Sequence, residues 1–213
     1  MPLWGATDSD ESKPKNLTTA QKKQVFANAS GWVLEAGSAL SGNDNTDADP
    51  EVLVAIGELS TSIGAADITE VEMVTTTADK SEGFTISVRV RYNEPVDVVT
   101  TGGTPTLAVT NGNEGTGTGR GPHSLSYASG TGTNELIFSL AIAAANAATN
   151  ADDVLSVGAQ TIALNSGTIK DASGTASDAA LAISGAQGTA AGSVTVTALS
   201  LIHISEPTRR LNI

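Results

Sequence analysis

The stretch Gly83–Pro95, GFTISVRVRYNEP, constrains the fold more than any other part of the chain. Phe84, Ile86, Val88, Val90 and Tyr92 alternate with Thr85, Ser87, Arg89 and Arg91. A period of two puts the first set on one face of a strand and the second on the other, which predicts a half-buried β-strand. A helix would scatter both sets around its surface. Asn93-Glu94-Pro95 is expected to end the strand, because proline has no N–H to give to a ladder. Arg89 and Arg91 then lie on the outer face, either paired with acidic neighbours or marking a contact surface. A solvated face is the expectation.

The same period recurs on both sides. EVLVAIGEL (Glu51–Leu59) alternates Val52, Val54 and Ile56, and ITEVEMV (Ile68–Val74) sets Ile68 out of phase with Val71 and Met73, which predicts a bulge or an edge. TPTLAVTNG ends in the hairpin pair Asn111-Gly112, HSLSYASGTGT carries Leu125 and Tyr127 in phase, and NELIFSLAI alternates Leu136, Phe138, Leu140 and Ile142. DVLSVGA, QTIALNS and SVTVTA supply further short strands. Some seven short strands divided by Gly, Asn and Asp turns predict an all-β fold, an immunoglobulin-like β-sandwich over residues 66–198. Its inner face is expected to hold Phe84, Ile86, Val88, Leu107, Val109, Tyr127, Leu136, Phe138, Leu140, Leu155 and Ile162. Aromatic content of 3% predicts a thin core.

Residues 1–65 read as an extended N-terminal arm with a short helix and a strand. TTAQ (Thr18–Gln21) is a capping box, and KKQVFANASGWV after it predicts one marginal helix with Val25, Phe26, Ala29 and Val33 on its apolar face. SGNDNTDADP is a loop whose Asp44, Asp47 and Asp49 invite a calcium reading, but it lacks the glycine turn and terminal glutamate of an EF-hand.

The chemistry classes thin out quickly. A net charge of −12 with no Lys/Arg cluster argues against nucleic acid as a partner. The absence of cysteine removes disulfides and thiolate metal sites. The longest apolar run, Leu136–Ala148, is broken by Ser139 and Asn146 and is too short to cross a membrane. The opening residues lack the basic-then-apolar pattern of a signal peptide, so no membrane insertion or export is expected. His123 and His203 are the only histidines, and His123, in GRGPHS, is expected to be solvated. GTGTGRG (Gly115–Gly121) lacks the Lys-Ser/Thr of a phosphate loop and reads as a flexible hairpin tip. Asp152, Asp153, Asp171 and Asp178 read as turn formers, with a structural calcium between strands as the alternative. No catalytic set is visible, so an enzyme is not expected.

Residues Glu94–Gly174 resemble a known module. EPVDVVTTGGTPTLAVTNG, SLSYASGTGTNELIFSLAIAAANAATNADDVLSV and LNSGTIKDASGTASDAAL are similar, in order, to the immunoglobulin-like (SwmB-like) repeat of bacterial and phage surfaces. That resemblance implies a structural or adhesive module without catalytic residues. MPLWGATDSDESKPKNL, ASGWVLEAG and DPEVLVAIGELS resemble the start of small virion proteins of tailed marine phages, cyanophages in particular. The family has a Gly/Arg-rich stretch where this chain has the acidic SALSGNDNTDAD.

The resemblance implies a head-decoration, neck or tail accessory protein, assembled in the host cytoplasm. Other virion proteins, further copies of itself in a symmetric array and host-surface glycans would be its partners, and Trp4, Trp32, Val52, Val54 and Ile56 its assembly contacts. A bacterial extracellular adhesin module, calcium-stabilised, is the alternative. A carbohydrate-binding accessory domain is a third reading, disfavoured by the scarcity of aromatic residues for sugar stacking.

Residues 199–213 stand apart. LSLIHISEPTR resembles the translation of a transposase sequencing-library adapter, with RLNI as index sequence. That resemblance implies a native frame that departs from this one after Ala198, and no functional weight for His203, Glu206, Arg209 and Arg210. The alternative is a genuine strand, since LSLIHIS alternates.

Overall fold

The computed structural model describes residue 14 and residues 17–111, 122–173 and 176–198. Helix α1 (Thr19–Lys22) starts at the predicted capping box: the Gln21 N–H donates to Thr18 Oγ1 and the Thr18 N–H to Gln21 Oε1 at 2.9 Å. It ends after one turn. The helix expected through Val33 is instead a hairpin of β1 (Val25–Asn28) and β2 (Gly31–Leu34), paired from Val25↔Leu34 to Asn28↔Gly31. The β-branched and aromatic residues Val25, Phe26, Trp32 and Val33 suit a pleated surface better than a marginal helix. Asn28 also makes a local turn, its Oδ1 accepting the Ser30 N–H at 2.8 Å.

Strand β3 (Glu51–Ala55) adds to β2, and helix α2 (Leu59–Ser62) follows. Val25, Ala27, Trp32, Leu34 and Leu59 form a small hydrophobic cluster, against which Val54 and Ile56 pack. The expected extended arm is therefore a three-stranded sheet with its own core.

The remaining strands are β4 (Ile68–Met73), β5 (Ala78–Asp79), β6 (Phe84–Val99), β7 (Thr106–Asn111), β8 (His123–Ser129), β9 (Thr133–Ile142), β10 (Val154–Ser156), β11 (Gln160–Thr161), β12 (Thr168–Asp171), β13 (Ala182–Ile183) and β14 (Ser193–Thr197). Helix α3 (Gly185–Ala190) lies between β13 and β14, on a Ser184–Gln187 capping box. Nine of these strands form one hydrogen-bonded sheet in the order β12-β6-β9-β8-β7-β10-β14-β5, with β4 beside β6; β11 and β13 pair separately. The fold is all-β, as the alternation predicts. Its main sheet curls into a half-barrel. Curling lets one sheet enclose its own inner face.

β6 is the spine. Its first half pairs with β9, from Phe84↔Ile142 to Arg91↔Glu135, and with β4 through Val71↔Val90 and Met73↔Val88. The bulge expected near Ile68 is present as a register shift between Ile68 and Glu70. The strand does not stop at Pro95. Its register with β9 breaks between Arg91 and Val96, and Val96–Val99 then pair with β12. A proline is tolerated where the ladder is already broken.

Of the predicted inner face, Ile86, Val88, Leu107, Val109, Leu136, Phe138, Leu155 and Ile162 are buried; Phe84, Tyr127 and Leu140 are half-buried against them. Tyr127 and Phe138 meet edge to face, with ring centroids 6.1 Å apart. Among the described residues no helix is long and apolar enough to cross a membrane.

Candidate assembly surface

The sequence-predicted contact residues separate into different environments. Trp4 lies outside the described residues. Trp32 is buried in the small cluster and also lines a groove of about 630 Å³ between the N-terminal sheet and the half-barrel, alongside Val25, Lys22, Lys23, Ile68 and Asn93. Val54 and Ile56 are half-buried on the small core. Val52 is 49% exposed and its neighbour Leu53 is 38% exposed. Both faces of β3 therefore show apolar side chains to solvent. β3 is also the outer strand of its sheet, in the order β1-β2-β3, so one row of its backbone groups has no ladder partner among the described strands. An edge of this kind is a template for adding another strand.

The expectation that Arg89 and Arg91 form a solvated face is overturned. The N-terminal sheet lies over that side of β6, and Arg91 is only 9% exposed. Register explains the rest. Glu72 sits opposite Arg89, Glu70 opposite Arg91, and Glu135 opposite Arg91 from the other side. Arg89 Nη2 donates to Glu72 Oε2 at 2.6 Å and Nη1 to Glu135 Oε2 at 3.2 Å. Arg91 Nη1 donates to Glu70 Oε2 at 2.8 Å and to the Lys23 carbonyl at 2.7 Å, while Nε donates to Glu135 Oε1 at 2.6 Å. Its Nη2 is 3.3 Å from Glu35 Oε2. The Lys23 ammonium pairs with Glu70.

One guanidinium thus joins the two flanking strands of the half-barrel to the chain on both sides of the β1–β2 hairpin. Burial pushes the Glu35 carboxyl up to about 7; Arg91 opposes this, and Glu135 reinforces it by charge and a shared hydrogen bond. Burial also acts upward on Glu135, but Arg91, the Glu35 hydrogen bond and Arg89 together hold it below the ordinary carboxylate value. Sequence reasoning named both arginines and missed these carboxylates, because the partners come from three separate segments.

Two further expectations change. His123 is buried at the start of β8, not solvated: it pairs with Val109, and its Nε2 lies 2.8 Å from Thr149 Oγ1. Burial lowers its pKa, with Asp153 pulling upward. Asp153 is buried too and accepts the Asn150 N–H at 2.7 Å, so it is a turn former but not a surface solubiliser. Asp171 is likewise buried, whereas Asp178 is exposed and pairs with Lys170 at 3.3 Å.

Glu94, read as part of a strand stop, is completely buried in the break of β6. Burial, then the charge of Asp171, push its carboxyl up to about 7 against a hydrogen bond from Ser173. Asp44, Asp47 and Asp49 are exposed in a loop, where Asn43 and Asn45 side chains accept the N–H groups of Asn45 and Asp47. Among the described residues no three or more His, Cys, Asp or Glu side chains cluster to hold a metal ion. The Gly115–Gly121 tip and residues 199–213 lie outside the described residues.

No family model matches the chain, and neither a curated protein nor a solved structure matches it.

Proposed function

We propose that the chain is a non-catalytic structural protein of a tailed-phage virion. The N-terminal sheet contacts the particle, and the half-barrel is the immunoglobulin-like module that Glu94–Gly174 resemble, displayed for particle stabilisation or weak adhesion to the host surface. The observation that carries this reading is the open β3 edge, with Val52 and Leu53 both exposed. Main-chain hydrogen bonds to an added strand supply affinity, and side chains on alternate faces supply register. The same strand falls within DPEVLVAIGELS, one of the motifs that resemble phage virion proteins. Symmetric particle sites present such an edge many times over, which favours repeated copies.

The test is mass spectrometry of density-banded particles from a culture carrying the gene, with the gene's neighbours read from the same genome. Peptides of this chain in the particle band at a stoichiometry matching the symmetry sites, beside capsid or tail genes, are the expected result. Their absence from intact particles refutes the proposal.

A further inference from the structure

Three segments bring oxygen atoms together at the break in β6. Glu94 comes from β6 itself, Asp171 and Ser173 from the end of β12, and the Ser60 carbonyl from α2. Ser173 Oγ is 2.5 Å from the Ser60 carbonyl oxygen, 2.6 Å from Asp171 Oδ1 and 3.2 Å from Glu94 Oε2. A serine hydroxyl has one proton. It can satisfy one of these three acceptors, while the Ser173 N–H supplies a second donor, to Asp171 Oδ1 at 2.6 Å. Glu94 is 0% exposed, its Oε2 is directed into this group, and its Oε1 has no hydrogen-bond partner. Asp171 is 3% exposed, and Ser60 is buried with it. Burying Glu94 Oε1 with no donor is costly unless the carboxyl takes up a proton or a positive charge lies beside it.

We propose that Glu94, Asp171, Ser173 Oγ and the Ser60 carbonyl form a calcium site. The donor set is oxygen only, with two carboxylates, one carbonyl and one hydroxyl. That is the chemistry of a hard divalent cation and unsuited to zinc or copper, which favour nitrogen and sulfur. An irregular set from three segments suits calcium better than magnesium, which demands a small octahedral cage. The ion ties α2, and with it the small core around Leu59, to β6 and β12. This fastening is separate from the Arg91 ladder, and the inference goes beyond the proposed function without resting on it.

The experiment uses the full chain stripped with EDTA and dialysed against calcium, with magnesium as the control ion. One calcium per chain is expected, together with a rise in Tm of about 5–10 °C at a hundredfold excess over Kd. Magnesium should give little of this rise. Glu94→Gln and Asp171→Asn are each expected to weaken binding more than about tenfold, since each removes a charged ligand. Circular dichroism checks that these variants fold. A variant with Asp44, Asp47 and Asp49 all changed to Asn should bind as wild type does.

Calcium that fails to bind the stripped wild-type chain overturns the site and leaves Glu94 as a buried protonated acid. Binding that survives Glu94→Gln, or that disappears in the loop variant, overturns it as well.

Discussion

Replacing Arg91 with methionine removes the guanidinium while keeping most of the side-chain bulk. Glu70, Glu135 and Glu35 then lose a common cation, with side chains 14%, 21% and 27% exposed. Breaking a buried ion pair from one side costs about 3–5 kcal/mol, because the abandoned charge stays buried. Partial exposure of all three carboxylates, the Lys23 pair to Glu70 and the Arg89 pair to Glu135 put this case at the low end, about 3 kcal/mol. For a chain of this size that corresponds to a fall in Tm of about 6–12 °C.

Urea and thermal unfolding measure the loss, and hydrogen exchange locates it: amides of Val25–Leu34 should lose protection before those of β9. The loss should also shrink at pH 5, where Glu35 takes up a proton and one uncompensated charge disappears. The double variant Arg91→Met, Glu135→Gln should recover at least about 1 kcal/mol, as expected for coupled partners. An Arg91→Met chain within about 1 kcal/mol of wild type would mean that the ladder is solvated, and the reasoning would fail.

Three other outcomes follow from the geometry. His123 has a lowered pKa in the folded chain, so the unfolded chain binds more protons as pH falls below its ordinary value of 6.5. Stability should therefore decline below that pH, and His123→Gln should flatten the decline. This is read as wild type minus variant in urea midpoints, because Glu35, with its raised pKa, gains stability over part of the same range. Gly31 has φ +132°, and a Cβ there would lie 2.0 Å from the Val54 carbonyl oxygen. Gly31→Ala should cost at least about 1–3 kcal/mol from backbone strain alone, seen as lost exchange protection in β2 and β3. Changing Val52 and Leu53 together to Lys should leave unfolding within about 0.5 kcal/mol of wild type while abolishing particle incorporation. Unchanged incorporation would remove β3 from the contact.

What was legible in the sequence was local. The alternation of Phe84–Tyr92 and Leu136–Ile142 located two strands that pair over most of their length, and the phase change at Ile68 located the bulge. What was not legible depended on length or on distance along the chain. The capping box at Thr18 marks where a helix starts, not how long it lasts, and helix cooperativity is weak over so few residues. The box at Ser184–Gln187 carries the same signal, diluted in the sequence by Gly185 and Gly188. His123 looked solvated because Gly, Arg and Pro precede it. Its burial comes from Val109 beside it and Thr149 on a distant loop.

The buried ladder shows where reading outer faces from alternation fails. Period two assigns a residue to a face, and the inference from outer face to water holds only when no further layer covers the sheet. A clue to the cover was present in the charges themselves. Glu70 and Glu72 are spaced two apart in ITEVEM, as are Arg89 and Arg91 in SVRVR. Two such pairs match in sign only if the strands lie side by side in one register, and β4 and β6 do so. Glu135 extends the row on β9, so each arginine is flanked by carboxylates on both sides. A surface pair needs no such surplus of partners. Arg91 bonds beyond its sheet, to the Lys23 carbonyl and to Glu35, and those contacts come from the segment that covers it.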